Sequence, residues 1–131
     1  TGRRQHAMKQ KLKTALLQMD NLVPYDKNLE RLLGHIDANS DCDLIVAPEV
    51  CLTDYDYEHI DEAVAFSQKA ERILCEKVGS QILVLTLLKK RGNDYVNEAI
   101  VVHGNKVVHR QAKHKLFLLG NEDRYLKAGS V

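Results

Sequence analysis

No tryptophan occurs in the 131-residue sequence, and two Phe and five Tyr are its whole aromatic complement. The interleaving of aromatic and basic residues that stacks bases along a phosphate backbone is therefore missing. A formal net charge of +1 supplies no overall pull toward a polyanion or an anionic membrane either. Nucleic acid is accordingly not an expected partner. Three cysteines, Cys42, Cys51 and Cys75, are an odd number at unpatterned spacing, which speaks against a disulfide framework and against a zinc site. No His/Cys/Asp cluster has metal-ligand spacing, so none offers a metal cofactor. A reducing, cytoplasmic setting fits this cysteine usage. No apolar run approaches the roughly 20 residues of a membrane span, and the N-terminus lacks the apolar core of a signal peptide, so a membrane is not an expected partner.

What is present is a globular composition, 44% hydrophobic and 28% charged, at a length that suits one domain with a real core. The charge is unevenly spread. Residues 1 to 13 carry Arg3, Arg4, Lys9, Lys11 and Lys13 without an acid, whereas Asp41 to Glu62 carries eight acids without a Lys or Arg. Residues 103 to 115 are basic again. The first run reads as a solvated face, while the second and third are candidates to meet across a site.

The most informative stretch is Asp43-Leu-Ile-Val-Ala-Pro-Glu49. Four consecutive apolar residues fit a strand covered on both faces, and Pro48, which has no N–H for a ladder, ends the pairing. Glu49 is thereby delivered to the carboxyl end of a strand, the edge where open α/β sheets collect ligands. Around it the chain alternates. Residues 1–10 read as a tail, native or vector-derived, with Met8 as the natural start. Leu12 to Met19 reads as a first strand. Leu29, Leu32, Leu33 and Ile36 then form one stripe of a helix that Asp26 or Asn28 can cap and Asn39-Ser-Asp stops. Asp61 to Val78 reads as a second helix, with Ala63, Phe66, Ala70, Ile73, Leu74 and Lys77 along one side and Gly79 suited to a left-handed stop. Gln81 to Leu88 is a third buried strand. After it, Arg91-Gly-Asn-Asp and His103-Gly-Asn105 punctuate two more strands, Tyr95 to Val102 and Lys106 to Gln111. The fold class is α/β: βαβαβ with parallel strands, followed by an antiparallel hairpin.

These segments resemble, in order and spacing, the N-terminal half of the nitrilase superfamily of carbon–nitrogen hydrolases. Ala15-Leu-Leu-Gln18 is similar to the family's A-x-x-Q, and the segment ending in Pro48-Glu49 is similar to the one that carries its catalytic glutamate. Leu52-Thr-Asp-Tyr55 follows as L-x-G-Y would, with Asp54 in place of Gly, and Tyr95-Val-Asn97-Glu-Ala matches Y-x-N-x-A. Lys113-His-Lys-Leu116-Phe117, then Glu122, Tyr125 and Ala128-Gly129, resembles the second catalytic segment of omega-amidase-like members, with Lys115 in place of the usual His.

The resemblance implies the N-terminal half of a four-layer αββα sandwich and a hydrolase that cleaves nonpeptide C–N bonds of small amides or nitriles. It implies Glu49 as general base and acid, among apolar surroundings that raise its pKa, and Lys113 as the cation facing the oxyanion. Glu122 would be a supporting acid. Tyr55 and Tyr57 are candidates to line a substrate pocket. The family's nucleophile is a cysteine some tens of residues beyond the lysine, and none of Cys42, Cys51 and Cys75 occupies that position. Residues 11–131 are thus expected to be a partial domain, truncated before the nucleophile and inactive alone, from a protein that forms homo-oligomers. A different class stays open: a catalytically inactive relative, or a short binding module using the half-fold for a protein partner.

Overall fold

The computed structural model describes residues 11–19 and 24–112. Eight elements follow one another: β1 Thr14–Leu16, α1 Tyr25–Ala38, β2 Leu44–Val46, a single 3-10 turn Tyr57–His59, α2 Ile60–Lys77, β3 Ile82–Arg91, β4 Asp94–His103 and β5 Lys106–Ala112. The five strands form one sheet in chain order. β1, β2 and β3 are parallel, with Ile45 between Ala15 and Leu83. β4 and β5 are antiparallel additions, with Leu85 opposite Ile100 and Ile100 opposite Arg110. Strand–helix–strand units give the parallel part because a parallel return needs a long crossover, and two-residue turns give the antiparallel part.

Both helices lie on one face of the sheet. Leu29, Leu32 and Ile36 of α1 and Ala70 and Leu74 of α2 share a core with Ile45, Leu83, Leu85, Leu87 and Ile100. Leu32, Leu74 and Leu83 have no exposed surface, and burying a leucine fully is worth about 1.5–3 kcal/mol. Successive strand residues face opposite ways, so Leu44, Val46, Ile82, Val84 and Val101 project from the other face. They are only half-buried, and Leu16 on the same face is 75% exposed. The described residues thus make two layers, helices on a mixed sheet, with one apolar sheet face left open.

Four local expectations need correction. The first strand is far shorter than Leu12 to Met19, because it is an edge strand with one neighbour and Leu12 is exposed. Asn28 is no cap. Pro24 holds that position, and Asn28 is buried inside α1, donating from Nδ2 to the Leu52 carbonyl at 2.8 Å. Gly79 does not take a left-handed conformation, since α2 ends at Lys77 with Val78 extended. The Val78 and Gly79 carbonyls are met instead by N–H groups of Asn105 and Gly104 in the β4–β5 turn. Lys77, placed on the inward stripe, is exposed and pairs with Asp37.

The β4–β5 turn is as expected, Gly104 and Asn105 both having φ near +60°, the left-handed pair that matches strand twist. Across the helix face of the sheet, Glu71 of α2 accepts two hydrogen bonds from Arg110, each 2.8 Å, and one from Lys89 at 2.8 Å. Glu98, buried in β4, takes Arg91 at 2.7 Å and Arg110 at 2.9 Å. This network ties α2 to β3, β4 and β5.

Candidate active site

The chain leaves β2 at Val46, and one further bond, from the Ala47 N–H to the Val84 carbonyl at 2.9 Å, holds it to β3 before Pro48 ends the pairing. Val50 then takes φ +41°, a left-handed value that a β-branched residue adopts only under constraint. The constraint is visible: its N–H donates to Thr86 Oγ1 at 2.7 Å, while its side chain is 1% exposed beside Val64 and Leu88. This sharp turn lifts Glu49 off the strand end to the rim of the open sheet face.

Glu49 is consequently exposed, so the Leu-Ile-Val-Ala run does not enclose it as the sequence suggested. Its Oε1 accepts a hydrogen bond from Asn97 Nδ2 at 2.8 Å. The same Nδ2 lies 3.2 Å from Tyr55 Oη. Asn97 stands opposite Leu88 on β3, two residues from the Ala99–Thr86 pair, so it shares a face with Thr86. Glu49, Tyr55 and Asn97 are thereby drawn together from the β2–α2 loop and β4, Asn97 lying 48 positions beyond Glu49 and 42 beyond Tyr55 in the chain.

The loop between them is built on a second left-handed residue. Asp54, at φ +54°, accepts the Tyr55 N–H on Oδ1 at 2.9 Å and donates its own N–H to the Val50 carbonyl at 2.8 Å. Aspartate tolerates this conformation better than most residues. Tyr57 is half-buried in the 3-10 turn, its ring centroid 6.0 Å from that of Tyr55. Beyond it, Asp56 accepts from Tyr25 and pairs with His59 at 3.0 Å. Burial disfavours the Asp56 charge, but the Tyr25 and His59 hydrogen bonds prevail and hold its carboxyl below the usual range. His59 is raised by the hydrogen bond to Asp56 and the charge beside it.

Cys51 follows Glu49 by two residues yet has no exposed surface, and burial pushes its thiol up to about 12. Such a thiol is inert, which agrees with a structural role. Cys42 is also buried, and the partly exposed Cys75 is raised by burial. Among the described residues no group of three or more His, Cys, Asp or Glu side chains could hold a metal, and no helix is long and apolar enough to cross a membrane. Lys113 and Glu122 lie outside the described residues. In the sequence Asn97 is marked only by its place in Tyr95-Val-Asn97-Glu-Ala. An amide-bearing residue inside an apolar strand was the signal that could have found it.

In fold the chain is similar to part of solved members of the nitrilase superfamily, matching them over about 92% of its own length. The sequence alone matches no family model and no curated protein. Among solved structures, a glutamine-dependent NAD+ synthetase from Acinetobacter baumannii aligns with TM-score 0.80 and 26% identity, covering 92% of this chain and 24% of its own. An amidase from Nesterenkonia sp. aligns with TM-score 0.77 and 16% identity, covering 92% of this chain and 49% of its own. A carbon–nitrogen hydrolase from Helicobacter pylori aligns with TM-score 0.69 and 18% identity, covering 92% of this chain and 45% of its own. The chain thus spans about half the length of the hydrolases and about a quarter of the synthetase.

Proposed function

We propose that this chain is the glutamate-bearing half of an amide hydrolase acting by a Glu–Lys–Cys mechanism. A cysteine outside residues 1–131 attacks the amide carbon, Glu49 takes the thiol proton and passes it to the leaving nitrogen, and the C–N bond breaks to release ammonia or an amine. Water, deprotonated by Glu49, then hydrolyses the thioester. Lys113 stabilises the oxyanion, and Glu122 supports the charged groups. A fixed charge of this kind is worth about 2.7–4 kcal/mol of barrier.

The observation that carries the reading is Glu49 at a strand end, held at 2.8 Å by Asn97 of β4. Primary amides are the favoured substrates. A double mutant of the Nesterenkonia amidase has been captured with acrylamide, and the synthetases that share the fold are glutamine-dependent. Glutamine is itself a monoamide of a dicarboxylic acid, the class suggested by the omega-amidase-like segment at Lys113. The open apolar sheet face is the surface on which the second sheet of an αββα sandwich would pack.

The test is ammonia release from glutamine, other small monoamides and acrylamide by the full-length protein. Wild-type turnover with loss in Glu49→Gln and Lys113→Ala is the expected result. Either variant retaining near wild-type turnover would remove that residue from its role.

A further inference from the structure

Asn97 is hard to account for as a packing residue. It lies near the middle of a ten-residue strand, is 2% exposed and stands opposite the fully buried Leu88. Asparagine is a poor strand former. Its Nδ2 is committed to Glu49 and Tyr55, while its Oδ1 is buried with no hydrogen-bond partner among the described residues. A buried carbonyl left in that state destabilises a fold, and an apolar side chain of similar volume would avoid the penalty. Glu49, by contrast, sits exposed beside the tight turn at Val50, and the Asn97 amide donates to its carboxylate at 2.8 Å.

We propose that Asn97 is a positioning residue, kept against the stability of its strand, whose amide N–H fixes the Glu49 carboxylate in the orientation that proton transfer needs and couples it to Tyr55. The inference rests on the hydrolase reading of Glu49. It makes the opposite demand on stability from a structural role. A residue retained for the fold loses activity and stability together when replaced. A residue retained for positioning loses only the first.

The experiment uses the full-length protein with an amide that the wild type hydrolyses, alongside Asn97→Leu, Asn97→Ser and Glu49→Gln. Asn97→Leu is expected to melt at or above the wild-type temperature while kcat falls about 10- to 100-fold, the scale on which a small misplacement of a catalytic group acts, with KM nearly unchanged. The acid limb of its kcat/KM profile moves to higher pH, because the ionised carboxylate has lost a donor. Asn97→Ser, which keeps a donor that can reach Glu49 through a water, recovers part of both effects. Asn97→Leu melting well below wild type, or failing to fold, would assign Asn97 to the fold and overturn the proposal. Full activity of Asn97→Leu beside an inactive Glu49→Gln would overturn it alone, whereas a wild type without amidase activity would overturn the hydrolase reading with it.

Discussion

Replacing Glu71 by Gln in the full-length protein tests the charge network that clamps α2 to the sheet. The Arg110 fork, its hydrogen bonds outweighing the cost of burial and reinforced by Lys89, holds the Glu71 carboxyl down at about 2. From an ordinary value of 4.5, that displacement corresponds to about 3 kcal/mol at most. Arg110 is 42% exposed, so solvent screening reduces the figure to about 1–2 kcal/mol. Because the folded-state pKa is depressed, the contribution is fully present above the unfolded value near 4.5. It is lost as pH falls through the folded value near 2. Thermal melting of wild type and Glu71→Gln should therefore differ by an amount equivalent to about 1–2 kcal/mol at pH 7, and the difference should shrink between pH 4.5 and 2.5. Equal melting temperatures at pH 7, or a gap that stays constant down to pH 2.5, would refute the assignment.

Three further outcomes follow from the geometry. Asp54→Gly should raise the melting temperature, by the equivalent of about 1 kcal/mol, since glycine takes φ +54° without strain; a fall would show that the Asp54 hydrogen bond to Tyr55 outweighs the strain. Thr86→Val removes the acceptor of the Val50 N–H and should lower stability by about 1–3 kcal/mol in chemical denaturation, together with kcat; unchanged values would mean that the Val50 turn holds itself. Residues 1–131 produced alone should self-associate through the open sheet face in analytical ultracentrifugation, and a cooperative monomer would contradict the unpartnered apolar surface described.

The sequence made the order of elements legible because the signals were local. The Leu-Ile-Val-Ala run, the 3.6-residue stripes of both helices and the Gly104-Asn105 turn all sit where their own side chains put them. Illegible parts were those decided across the chain. Val78 and Gly79 end α2 against the β4–β5 turn, and Asn28 turns inward to the Leu52 carbonyl. Glu49 could be read from Pro48 and the preceding strand. Its exposure could not, since that depends on the strained turn at Val50, for which no sequence signal exists. The left-handed conformation of Asp54, at φ +54°, was not read from the sequence, where the residue stood only as a departure from L-x-G-Y.

A crystal structure of the full-length protein gives the most direct measurement. The Glu49 carboxylate and the Lys113 ammonium are expected within about 4 Å of each other or of a common cysteine thiol, with the amide nitrogen of Asn97 still on Glu49. Glu49 and Lys113 pointing into separate compartments would contradict it.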